Sequence, residues 1–374
     1  MADDYRGDSI PKKLARFLVW YRAIQHGFDE RSVHLAIASR DFGDAYAFVD
    51  MGVPGTLIAV EKDKRAFERA RDRWRDIEVT NEDVRETFRR RSDIEHAFLD
   101  LTHPLSPRLI GIASYAAAKM NVNRGPARIA INMCRGRDRA HPYFDYRNGR
   151  ETLDRSRDPL DCRTCIAEEK TRLRENGLLD SVFKPSWLSE EMQPAEIRRT
   201  IASAMSRGRL LERWINSTLS TWGRRWHELY NGEEVLVVRK RVVKWDELIV
   251  YQSHDRDQKG TPFMIASFEV FDHESVDARE PNYNFDPPTK EGRVWFIPKN
   301  HDRRIDLLHR LSRGVEGLPR TTFGFLPRQI AAMKAHLTRR RAPRPNPVAP
   351  RPNPVVLRDL SHMFFLDEAE NLSA

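Results

Sequence analysis

Glu61 follows the apolar run Thr56-Leu-Ile-Ala-Val60, Asp83 follows Ile77-Glu-Val79 by a few residues, and Asp100 closes Ile94-Glu-His-Ala-Phe-Leu-Asp100. A carboxylate held at the carboxyl end of a strand accepts hydrogen bonds from hydroxyls, and in nucleoside-binding βαβ units it takes them from a ribose. The plainer reading is a helix cap, because acids favour helix N-termini and Glu61 or Asp63 could serve the helix that follows. A second constellation is Cys134, His141, Cys162 and Cys165. Thiolates and an imidazole can close a tetrahedral zinc site. A lone CxxC without a second pair is a poor zinc signature, so these are expected to be ordinary thiols with no metal.

The elements that would position the acids can be read from periodicity. Thr56 to Val60 is apolar and partly β-branched, as a buried strand requires. Ala66, Phe67, Ala70 and Trp74 then recur at helical spacing, and Ile77 to Val79 begins another strand. Upstream, Pro11 to Gly27 predicts a helix with Leu14, Phe17, Leu18, Tyr21 and Ile24 on one stripe, and Val33 to Ala38 predicts a first strand. Downstream come a basic helix through Phe88, the strand ending at Asp100, a helix over Leu109 to Lys119 and a strand over Ala127 to Cys134. Strands alternating with helices five times predict an α/β fold with a doubly wound, mostly parallel sheet.

This order, with acids at Glu61, Asp83 and Asp100, resembles the core of the class I S-adenosylmethionine-dependent methyltransferases. The resemblance implies that Glu61 binds the cofactor ribose, that Asp83 lies beside the adenine, and that Asp100 faces the methyl donor or the substrate in a catalytic role. It also implies a closing antiparallel hairpin, for which Leu248 to Ser253 and Pro262 to Val270 are suited. The first loop departs from the family: Ala38-Ser-Arg-Asp-Phe-Gly-Asp44 has one glycine where several would let backbone approach the cofactor. Ser39, Asp41 and Gly43 are the cofactor-binding residues expected from that loop, with Asp44 as a further acid. Asn284-Phe-Asp-Pro-Pro-Thr289 is similar to the (N/D)PP(Y/F) motif of amino-methyltransferases, but Thr289 replaces the aromatic, and a Pro-rich loop is the expectation.

By domains, residues 1–135 with 233–300 form the expected core, and 136–232 a polar helical insertion. In the insertion, Ile215, Leu219, Trp222 and Trp226 share a helical face that reads as packing. Of the 374 residues, 64 are Lys or Arg and 55 Asp or Glu, a net charge of +9. Residues 301–351 hold twelve Lys or Arg against three Asp or Glu, an excess equal to that of the whole chain. Residues 301–341 predict basic helices, in which Arg328, Lys334, Arg339, Arg340 and Arg341 could follow a nucleic-acid backbone. The alternative for this stretch is a solvated tail. A tandem Ala-Pro-Arg-Pro-Asn-Pro-Val repeat over 342–355 reads as a semi-rigid linker, and 356–374 as a helix that docks on the body or a protein partner.

No apolar run approaches a membrane span, and the N-terminus lacks the apolar segment of a signal peptide, so a cytoplasmic protein with no membrane partner is expected. The leading functional reading is a methyltransferase-like protein using S-adenosylmethionine and acting on or alongside nucleic acid. The second is a non-catalytic nucleic-acid-binding or scaffold protein on a decayed Rossmann-like core. A nucleotide enzyme of another kind ranks last, for want of a P-loop or dinucleotide fingerprint.

Overall fold

The structure is a computed structural model. It describes residues 9–38, 42–75, 77–136, 138, 144–145, 150–151, 162–177, 195–229, 240–253, 260–273 and 293–297. The chain divides into units 1–297 and 298–374, and every described residue belongs to the first. The segments 301–341, 342–355 and 356–374, the Asn284 to Thr289 motif and His141 therefore lie outside the described residues.

In chain order the elements are α1 (Ile10–His26), β1 (Val33–Ile37), α2 (Gly43–Asp50), β2 (Thr56–Val60), α3 (Lys64–Arg73), β3 (Glu78–Thr80), α4 (Val84–Arg90), β4 (Ile94–Pro104), α5 (Pro107–Lys119) and β5 (Ala127–Cys134). A two-stranded ribbon of β6 (Phe144–Asp145) and β7 (Arg150–Glu151) follows, then α6 (Cys162–Glu175) and α7 (Ala195–Leu229). The chain returns through β8 (Lys240–Gln252), β9 (Pro262–His273) and β10 (Arg293–Phe296). The main sheet has the order β10-β8-β9-β5-β4-β1-β2-β3. β9 runs antiparallel to both its neighbours, and all other pairings are parallel. β1 leads outward to β2 and β3, while β4 and β5 lie on its other side, so the order reverses between β1 and β4. At such a switch point the connections diverge and leave a crevice beyond the carboxyl ends of the strands.

Side chains alternate across each strand, which gives the sheet two different faces. On one face Leu35, Ala97, Leu99, Ile129, Ile131 and Met133 join the apolar cluster made with α4, α5, α6 and α7. α7 packs on β8 and α5, and Ile215 and Leu219 are buried there. Thus α7, expected inside an insertion, is the crossover helix that carries the chain from β5 to β8. Cys162 and Cys165 are buried in the same cluster. Among the described residues no group of three or more His, Cys, Asp or Glu is placed to hold a metal ion.

The other face carries polar side chains in register. His34 pairs with His96 and His96 with Arg128 across β1, β4 and β5; four residues further on, Asp100 pairs with Asn132. All five are buried or nearly so, and α1 supplies the partners of most of them. Pro in its first turn and Gly27 in the left-handed region at its C-cap delimit α1. Leu14, Phe17, Leu18 and Tyr21 of its apolar stripe are buried as periodicity predicts, with Ile24 partly so, but Arg16 and Trp20, outside that stripe, are buried too, because they meet the polar face of the sheet.

The hairpin is also longer than expected. β8 begins at Lys240, since its charged first half is paired: Asp246 with Arg22 of α1 at 2.6 Å, and Glu247 with Arg128 at 2.9 Å. Gly55, at φ +103°, enters β2 where an added Cβ would lie 2.3 Å from the Ser32 carbonyl oxygen, so no other residue fits.

Candidate functional site

Acids stand toward the carboxyl ends of strands on both sides of the β1/β4 switch point, Glu61 after β2 and Asp100 in β4. Glu61 follows β2 and is half-buried. Its backbone is tied to β3: Glu61 N–H donates to the Thr80 carbonyl at 3.0 Å, and Asn81 Nδ2 donates to the Glu61 carbonyl at 2.8 Å. One carboxylate oxygen accepts the Asp63 N–H at 2.8 Å, while Asp63 itself caps α3 by accepting the Ala66 N–H at 2.9 Å. The cap and the acid at the strand end are therefore separate residues. Burial raises the Glu61 pKa, and the backbone N–H donors of Asp63 and Lys62 only partly offset it. A carboxylate offers about four lone-pair sites, so Glu61 retains acceptor capacity for further donors.

Asp83 caps α4. It accepts the Arg85 N–H at 3.0 Å and the Arg85 Nε at 3.0 Å, and the Arg85 side chain holds its pKa below the ordinary carboxylate value. Asp83 is thus anchored within its own turn, in the connection from β3 to α4.

Asp100 sits two strands from β2, roughly 10 Å at the usual strand spacing. It is buried, which alone would raise its pKa, but Lys12 and Arg16 of α1 and the Asn132 amide bring it down to about 2. The Lys12 Nζ lies 2.9 Å away, Arg16 Nη2 3.4 Å, and Asn132 Nδ2 donates at 2.6 Å. So low a pKa makes Asp100 a weak proton acceptor and a firm electrostatic anchor. The side-chain Oδ1 of Asn132, also buried, has no hydrogen-bond partner among the described residues.

Gly43 opens α2, and Ser39 and Asp41 lie outside the described residues. Before Gly43, Phe42 stands in the left-handed region at φ 38° and is fully buried, its ring 6.4 Å from Trp74. A bulky residue there costs about 1–2 kcal/mol, and its packing against Trp74 helps hold it. The backbone turns as a glycine would let it, while the side chain joins the packing against the segment after α3.

Two groups gain their place only from the packing. Asp44 of α2 is wholly buried, pairing with Arg16 Nε at 3.1 Å and accepting from Trp20 Nε1 at 3.2 Å. His103 lies beyond the irregularity after Asp100 in β4, and partial burial with nearby Arg108 and Lys62 lowers its pKa. Asp44 was visible as an acid of the first loop, but only the pairing with α1 gives it a place. His103 carries no signal beyond its position after Asp100.

No family model matches the sequence, and no curated protein matches it. Among solved structures the chain is similar to a fibrillarin/Nop5p complex, with 15% identity, 32% of this chain, 60% of that one and a TM-score of 0.26. It is similar to a precorrin-6y C5,15-methyltransferase from Geobacter metallireducens GS-15 (13% identity, 31% and 60% covered, TM-score 0.25). It is also similar to a plantazolicin methyltransferase in complex with a triazolic analogue and SAH (9% identity, 72% and 87% covered, TM-score 0.33). The chain thus spans about 60% of the length of the first two. The strand order, the single reversed strand β9 and the switch-point crevice give this chain the Rossmann-like, mostly parallel sheet of the class I methyltransferase type.

Proposed function

We propose that the crevice binds an adenosine-bearing methyl donor, S-adenosylmethionine, and that the chain transfers its methyl group to an acceptor. The observation that carries this reading is Glu61, a half-buried acid at the carboxyl end of β2 with acceptor capacity left over, beside the switch point. Ribose hydroxyls donating to Glu61 would offset the burial that raises its pKa. Asp83 would border the adenine, with Gly43 and the backbone turn at Phe42 placing the N-terminus of α2 against the ligand, beside Ser39 and Asp41 of the same loop. The donor supplies an activated methyl on a sulfonium. The chain's part is alignment: Asp100, held ionised, orients groups near the methyl, and the His103 imidazole can accept a proton from the acceptor.

Calorimetric titration tests this reading. S-adenosylmethionine or its demethylated product should bind the full chain, and Glu61→Gln should weaken binding by roughly 1–3 kcal/mol through loss of charge-assisted hydrogen bonds. Affinity should also fall with pH as Glu61 protonates through its raised pKa. Binding unchanged by the substitution would rule out Glu61 as the ribose acceptor.

The acceptor fits best as nucleic acid, because residues 301–351 concentrate the positive charge of the chain. Replacing Arg339, Arg340 and Arg341 together should flatten the slope of log affinity against log salt by roughly 2–3 on duplex DNA. Arg328 and Lys334 belong to the same stretch. An unaltered slope, or equal binding by a chain ending at Pro298, would reduce the stretch to a solvated tail.

A further inference from the structure

The two acids on either side of the switch point are bridged by a cation from the chain itself. Asp44 comes from α2, directly after β1, and Asp100 from β4; Arg16 of α1 reaches both, with Nε 3.1 Å from Asp44 and Nη2 3.4 Å from Asp100. Lys12, one turn earlier on the same helix, adds a second positive charge at 2.9 Å from Asp100. Arg16 and Asp44 are fully buried, while Lys12 keeps 18% of its side chain exposed. Two carboxylates are thus matched by two cations before any ligand arrives. Trp20, one turn after Arg16, fixes Asp44 from the other side and packs at 4.9 Å from His96 and 5.3 Å from Phe48. The bridge is therefore built into the packing of α1 and is not a surface pair.

We propose that Arg16 sets the charge specificity of the crevice: its guanidinium takes the place of a cation between Asp44 and Asp100, so a positively charged ligand gains nothing over a neutral one unless it competes with Arg16. This rests on the adenosine-ligand reading above. An uncompensated pair of buried acids would draw a sulfonium strongly, as opposite charges attract far more in a low-dielectric setting than in water. With Arg16 and Lys12 in place that attraction is already satisfied. The methyl-bearing sulfonium and the neutral thioether left after transfer should then be held about equally. Selection would fall on the parts they share, the adenosine and the amino-acid end.

The experiment compares the two ligands by calorimetry on the full chain and its variants. In the wild type, S-adenosylmethionine and S-adenosylhomocysteine should bind within about threefold of each other. Arg16→Gln, which keeps a donor but removes the charge, should shift the ratio toward the sulfonium by tenfold or more. Lys12→Gln, at the exposed rim and the milder change, should shift it the same way by about threefold, and decides the matter if Arg16 variants do not fold. A second readout needs no adenosine ligand: the melting temperature of Arg16→Ala should rise with millimolar guanidinium or trimethylsulfonium and not with urea, the neutral isostere, whereas the wild type should respond to none. Ligand ratios unmoved in both Gln variants, or no cation-specific rise in a folded Arg16→Ala, would overturn the proposal. If neither adenosine ligand binds any form, the adenosine reading fails, and the melting response alone decides whether the Arg16 position is a cation site.

Discussion

Arg128→Met should lower the unfolding free energy by about 3–5 kcal/mol, the range for breaking a buried charge pair from one side. Arg128 is fully buried on β5. Its guanidinium meets Glu247 at 2.9 Å, Asp246 at 3.3 Å and the Val19 carbonyl at 3.3 Å, so it joins α1, β5 and β8 at one point. Asp246 keeps a second partner in Arg22, which together with Arg128 outweighs burial and holds its pKa down. Glu247 depends on Arg128 more heavily: burial already raises its pKa, Arg22 acts on it only through space, and Trp295 Nε1 donates to it at 2.8 Å. Without Arg128 it must be buried charged or take up a proton. The double variant Arg128→Met/Glu247→Gln should regain part of the loss, since Gln can still accept from Trp295. Urea unfolding at pH 7 measures both. A single-variant loss below about 1 kcal/mol would mean that the network is hydrated and contributes little.

The second large effect follows from the histidine pair on the same face. His34 Nε2 lies 2.8 Å from the Pro54 carbonyl and so must donate; its Nδ1 then accepts from His96 Nδ1 at 3.3 Å. That assigns the His96 proton to Nδ1 and leaves Nε2 bare, buried and without a hydrogen-bond partner among the described residues. Trp20 and Phe28 pack against both rings. Burial pushes the His34 pKa down to about 4 and the His96 pKa well below its ordinary 6.5, with Arg128 and His26 adding to the shift of His96. Unfolded imidazoles take up protons below about pH 6.5 while the folded ones stay neutral, so the unfolded state binds more protons as pH falls. Stability is complete above about pH 6.5 and is lost toward pH 4, by about 3 kcal/mol for His34 alone. Glu247, with its raised pKa, titrates with the opposite sign. The loss is therefore read as the difference between wild type and His96→Phe, whose pH dependence should be shallower. Equal slopes between pH 7 and 4.5 would mean that the imidazoles are reached by water.

These two faces of the sheet also explain what could be read in advance. The strands β1, β2, β4 and β5, and the acids after β2 and in β4, were legible because apolar runs of five to eight residues beside helical patterns have few other readings. The polar face was not. His34, His96, Arg128 and Asn132 occupy inward positions, and polar side chains there look like exposed ones until the partner is known. Those partners are remote in sequence: Arg22 and Asp246 are 224 residues apart, Arg128 and Glu247 119. The charged first half of β8 was missed for that reason, and Arg16 lies off the apolar stripe by which periodicity picks out the buried side of α1. The role of α7 was hidden differently. Its pattern announces a helix, but only its packing on β8 and α5 identifies it as the crossover between β5 and β8.

An adenosine ligand bound as proposed would sit across the carboxyl ends of β1, β2 and β4. Hydrogen exchange of the full chain with and without S-adenosylhomocysteine tests it most directly, because binding slows local opening where the ligand touches. Protection is expected over residues 36–45, 58–64 and 78–85, which include Gly43, Glu61 and Asp83, and not over 27–32 or 121–126 at the opposite ends of the strands. Protection confined to those opposite ends, or none anywhere at saturating ligand, would contradict the account.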